Sequence, residues 1–71
     1  SKLQQNQNAI ITKIDASEEL MQRFYSFGII KGATIFIESM SLKKQTMEIN
    51  VEDTMIALRV DEANTIEVKV L

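Results

Sequence analysis

Gly28 and Gly32 are the only glycines in this chain, and their spacing is the first to invite a chemical reading. Glycines that cradle a phosphate stand before a helix, where free N–H groups of the first turn face the anion. Here the helical pattern precedes Gly28, so both glycines fall where carbonyl oxygens point outward and read as backbone turns. Glu52-Asp53 and Asp61-Glu62 are adjacent acid pairs of the kind that suit a hard cation. Neither has a glycine-containing calcium-loop spacing, and turns collect solvated acids in any case. Arg23 and Arg59 suit either acidic groups on a partner or carboxylates within the domain. Glu19, one helical turn before Arg23, is the expected internal partner of the first. Hydrogen bonds to loop carbonyls are the expected structural role of the second. The chain has no His and no Cys. That removes the commonest general base, the thiol nucleophile and the soft metal ligands. No catalytic, cofactor or metal residue is assigned, and an enzyme is not expected.

Charge argues against nucleic acid. Eight basic residues oppose ten acidic ones, for a net charge of −2. Only Lys43 and Lys44 are adjacent, whereas a phosphate-tracking surface needs a basic stripe. From Glu48 to Glu67 the carboxylates crowd around a single Arg. The apolar runs are far shorter than the ~20 residues that span a bilayer, so neither membrane insertion nor a signal peptide is expected.

The elements that must position these residues belong to one domain, residues 1–71, since so short a chain has material for one core. Residues 1–8 read as a polar entry, either anchored by Leu3 or frayed. Residues 9–14 carry β-branched side chains at Ile10, Ile11, Thr12 and Ile14 and predict a strand. Asp15 and Ser17 offer N-cap oxygens, and Glu18 and Glu19 complement the dipole of a helix over about residues 17–27. Leu20, Phe24 and Phe27, with Met21 alongside, form its apolar face. Gly28 ends it, and Ile29 is placed to fold back onto Phe24. After Gly32 the period changes from 3.6 to 2. Ile35 and Ile37, then Met47, Ile49 and Val51, then Ile56, Leu58 and Val60, then Ile66, Val68 and Val70 predict four more strands. Five short antiparallel strands and one helix predict a mainly β fold, a small curved barrel that hides its sheet edges, with the helix plugging one end.

Two blocks of this sequence resemble the FeoA family. Arg23-Phe24, two residues on Phe27-Gly28-Ile29, and then Gly32 are similar to that family's helix-end signature. Ile56-Ala57-Leu58-Arg59 followed by Ala63, Ile66 and Val68 is similar to its second signature, an Ala-Leu-Arg strand with an Ala-x-x-Ile-x-Val ending. The resemblance runs from Leu3 to Val70. It implies an SH3-like five-stranded barrel with an inserted helix. It also implies a cytoplasmic accessory protein of bacterial ferrous-iron uptake that binds the GTPase domain of an FeoB-type membrane transporter, with weak family-level transition-metal binding. Three departures stand out: Lys31 where the family often has Pro, a Ser41–Gln45 loop without Gly-Asp-Pro, and Gln or Asn near Gln7 in place of an early Gly. The other reading is an SH3-like regulatory domain of a metal-dependent repressor of the diphtheria-toxin-repressor family, binding a peptide segment or a metal.

Contact residues follow from the strand pattern. If Ile35 and Ile37 point inward, Phe36 points out, and Met40, Leu42, Tyr25 and Ile30 are expected to join it on one partner-binding surface. Packing of Phe36 beneath a neighbouring segment is the competing expectation. Weak self-association through sheet edges or Phe36 is a further expectation. Neither Arg23, on the helix, nor Arg59, in a strand, stands on the loop tip that an arginine finger requires.

Overall fold

The computed structural model describes residues 6–41 and 43–71. Leu3 and Leu42 lie outside the described residues. Five strands and two helices follow one another: β1 (Asn8–Ile14), α1 (Glu18–Ser26), β2 (Thr34–Ser41), β3 (Thr46–Val51), β4 (Thr54–Arg59), α2 (Val60–Ala63) and β5 (Ile66–Val70). They form one antiparallel sheet in the order β4-β3-β2-β1-β5.

The sheet curls but does not close. β4 and β5 are its two edges, although α2 alone separates them in the chain. The expected barrel is therefore an open, strongly bent sheet, with α2 crossing between the edges. Its core side carries Ala9, Ile11, Ile35, Ile37, Met47, Ile49, Val51, Ile56, Leu58 and Ile66, and Phe24, Ile29 and Ala63 complete the cluster. The alternation that predicted the strands is the alternation seen, with one end misplaced. Val60 begins α2 and does not end β4.

α1 is short for its own stability and is fixed by its ends. Ser17 Oγ accepts the Leu20 N–H at 3.2 Å, and Glu18 and Glu19 occupy the first turn. At the other end the Ile29 N–H donates to Phe24 O at 2.9 Å and the Gly28 N–H to Tyr25 O at 3.1 Å. That pair of bonds is a Schellman ending, and Gly28 supplies its left-handed residue at φ 81°. Ile29 folds back into the same core cluster as Phe24, as expected. Phe27 departs from expectation. It caps the helix beyond the last turn, is 40% exposed, and leaves Phe24 as the buried anchor, with Leu20 packed partly against the core.

Two bulges re-aim the strands. β1 shifts register between Ile11 and Lys13, and β2 between Ile37 and Ser39. A bulge adds one residue to one strand and so reverses the face on which later side chains emerge. Phe36 and Met40, separated by an even spacing, therefore lie on opposite faces of β2.

Candidate functional site

Glu62 is the centre of the best-connected polar cluster. α2 begins after Arg59, whose N–H donates to Glu62 Oε1 at 3.0 Å. This is the carboxylate half of a capping box, an N3 side chain reaching back to the N-cap N–H. The other oxygen, Oε2, accepts from Arg23 Nη1 at 2.6 Å. Burial alone would raise the Glu62 pKa. The Arg59 N–H, the Arg23 hydrogen bond and the charges of Arg23 and Arg59 outweigh it and hold the carboxyl below its ordinary value. The expected Arg23–Glu19 pair is replaced by this longer-range one. Glu62 is thereby committed within the domain and is no free ligand. Among the described residues no group of three or more His, Cys, Asp or Glu is placed to hold a metal ion.

Arg59 differs from Arg23. Its backbone caps α2, while its side chain is exposed and lines a cleft of about 500 Å³ with Lys44, Gln45, Val60, Asp61 and Asn64. The cleft is shaped by the loop between β2 and β3, where the Lys44 N–H donates to Ser41 Oγ at 3.2 Å and Gln45 O accepts the Val60 N–H at 2.9 Å. Of the second signature's other residues, Leu58 is buried in the core and Ala57 emerges on the outer face opposite Glu48.

The outer face of the sheet carries a row drawn from four elements. Met55 pairs with Asn50, Asn50 with Phe36, and Phe36 with Asn8. Directly opposed residues of antiparallel strands share a face, so these side chains form one transverse band. Phe36 is half-buried between the two asparagines, and Met55 is 52% exposed. Of the residues expected to join Phe36, Met40 sits across the sheet opposite Met47, at the rim of the core face. Leu42 lies outside the described residues. Tyr25 and Ile30 are exposed with Phe27 around the helix-end turn, where the Ala33 N–H donates to Ile30 O at 3.0 Å and Gly32 takes φ 92°. Gly28 and Gly32 are turn residues, as read from their position after the helix. Of the residues expected on one surface, Phe36 thus lies on the sheet's outer face, Met40 at the rim of the core face, and Tyr25 and Ile30 at the helix-end turn.

Lys44, Met55 and Glu62 were not among the residues singled out as contacts. For Glu62 a local signal exists, because Arg59-x-x-Glu62 has the spacing of a cap and its N3 carboxylate. For Lys44 and Met55 none exists, since only the folded sheet brings Lys44 to the cleft of Arg59 and sets Met55 in one row with Phe36, across Asn50.

A bent five-stranded sheet with a helix between its first two strands defines a small SH3-like β domain. The FeoA domain model matches residues 1–70, and over 71 residues the chain is 38% identical to a Campylobacter jejuni protein named "Putative Fe(2+) transport protein A", covering 100% of this chain and 96% of that one. The chain belongs to the FeoA family. The solution structure of the FeoA protein from Chlorobium tepidum superposes with a TM-score of 0.90 at 23% identity, covering 99% of this chain and 67% of that one. The same fold occurs in T. acidophilum IdeR, at a TM-score of 0.83 and 28% identity, where the match covers 97% of this chain and 32% of that longer one.

Proposed function

We propose that this chain is a non-enzymatic accessory protein of ferrous-iron transport that acts by binding the cytoplasmic GTPase domain of an FeoB-type transporter. The observation that carries the reading is end-to-end likeness to a curated relative named for Fe(2+) transport. The chemistry of the chain agrees with it. Without His or Cys, recognition is the work its surface suits, and iron is the cargo of the system and no resident ligand of this domain. No helix among the described residues is long and apolar enough to cross a membrane. In this reading the chain sits in the cytoplasm and reaches the membrane through its partner.

The contact we propose centres on Phe36 and Met55, with Tyr25 and Ile30 as a second patch. Binding would change nucleotide turnover only if affinity differs between two states of the GTPase. Equal affinity would leave assembly of the transporter as its role. A repressor-type regulatory domain is the second reading, supported by the likeness to IdeR. The family match over residues 1–70 favours the first.

Calorimetric titration of the full chain against the soluble GTPase domain, with and without nucleotide, tests the proposal. Binding in at least one nucleotide state is expected, and Phe36→Ala should weaken it by ~1–2 kcal/mol. Absence of binding in both states overturns the partner. Wild-type affinity in a folded Phe36→Ala variant overturns the surface.

A further inference from the structure

We propose that the cleft between Lys44 and Arg59 receives a carboxylate from an acidic segment of a partner polypeptide. The fold brings these two cations together from different elements, the β2–β3 loop and the end of β4. Among the described residues the one salt bridge joins Arg23 to Glu62, so neither Lys44 nor Arg59 has a carboxylate within ion-pair distance.

Of the two acids that follow Arg59, only Asp61 lines the cleft. Glu62 uses one oxygen on the Arg59 N–H and the other on Arg23. Asp61 Oδ1 accepts the Glu62 N–H at 3.0 Å. Lys43 adds charge beside Lys44. A chain with a net charge of −2 therefore presents a local basic seat with unspent donors. The planar guanidinium matches a carboxylate in a two-point fork.

A phosphate backbone fits poorly. It needs a continuous basic track, and this seat offers only two cations, Lys44 and Arg59, at one end of the sheet. Arg59 and Met55 emerge on that same outer face, by pairing with Thr46 and Asn50. A partner's acid at the cleft would thus lie on the same outer face as the band that runs through Met55, Asn50 and Phe36. This inference rests on the reading of the chain as a binding module, and its test is independent of the transporter.

The experiment is an NMR titration of the ¹⁵N-labelled full chain with a short Glu/Ser peptide amide, a Gln/Ser peptide of equal length and oligothymidylate. Amide shifts are expected around Lys44, Gln45 and residues 59–64 with the Glu/Ser peptide, weakening as salt rises. Arg59→Ala should raise its Kd about tenfold or more, since the lost bond is charge-assisted. That variant keeps the backbone N–H that Glu62 caps, so its fold should persist, and Lys44→Ala gives an independent reading. Shifts absent or lying elsewhere, equal binding of the Gln/Ser peptide, or unchanged affinity in both variants overturns the proposal. Tighter binding of oligothymidylate at the cleft overturns it in favour of a phosphate surface. If the peptide binds and the GTPase domain does not, only the partner named above is lost.

Discussion

Glu62 Oε2 accepts a hydrogen bond from Arg23 Nη1 at 2.6 Å, joining α2 to α1 across most of the length of the chain. The helix that precedes β2 and the one-turn helix that crosses between the sheet edges are tied by this contact. Because Oε1 of the same carboxylate caps the Arg59 N–H, the two sequence blocks that carry the arginines meet at one side chain. Arg23 is spent on architecture, and the side chain of Arg59 is left facing solvent.

Removal of Glu62 should cost more than removal of its partner. The Glu62 side chain is 14% exposed, whereas that of Arg23 is 53% exposed. An exposed ion pair contributes ~0–1 kcal/mol, and a helix cap ~1 kcal/mol. Glu62→Ala is expected to lower stability by ~1–2 kcal/mol and Arg23→Ala by ~0.5 kcal/mol, read from urea unfolding. Equal losses in the two variants would mean that the cap on Arg59 contributes nothing.

The same carboxylate sets a pH dependence. In the unfolded chain Glu62 titrates near 4.5, and in the folded chain it titrates lower. Its contribution is therefore complete above about pH 4.5 and is lost as pH falls through the folded value, because unfolding takes up a proton in that window. Glu62→Gln should be less stable than the parent at pH 6, and the gap should narrow as the pH is lowered below 4.5. A gap that widens on acidification would reverse the sign assigned to the shift.

Phe24 and Phe27 should respond very unequally to truncation. Phe24 is fully buried, and Phe27 is 40% exposed at the helix cap. Phe24→Ala removes a large core side chain and is expected to cost ~3–5 kcal/mol, enough to unfold much of so small a domain at room temperature. Phe27→Ala should stay within ~0.5 kcal/mol, as surface changes do. Thermal melts followed by circular dichroism separate the two. A large loss at Phe27 would place it in the core as the helical spacing had suggested.

What the sequence made legible was local. Gly28 and Ile29 are read correctly because a helix ending is decided by the few residues beside it, and the β periods survive because each strand has one buried face. Phe27 misleads because helical spacing holds only while the helix lasts, and the Schellman turn ends it one residue earlier. Met40 misleads because the bulge between Ile37 and Ser39 reverses strand parity, and no residue type there announces the extra position. The Arg23 pair is missed for a different reason. Glu19 lies within local reach, and Glu62 arrives only when the sheet has folded. The Lys44–Arg59 cleft depends in the same way on the β3–β4 register, which no single segment encodes.

The turn between β3 and β4 should accept a stabilising replacement. Val51 pairs with Thr54, so Glu52 and Asp53 form a two-residue loop, and both have positive φ, 51° and 65°. That is the signature of a type I′ turn, which matches the strand twist and favours Asn-Gly. Holding a long side chain such as Glu in the left-handed region costs ~1–2 kcal/mol, a cost that glycine escapes and asparagine reduces. Glu52→Asn with Asp53→Gly should therefore raise stability by ~1 kcal/mol, a rise of roughly 4–8 °C in Tm for a domain of this size. Glu52 forms no ion pair among the described residues, although its carboxylate lies 3.8 Å from the position a Cβ would take on Gly28. If Tm falls instead, that side chain supports the end of α1, and the turn's strain is the smaller effect.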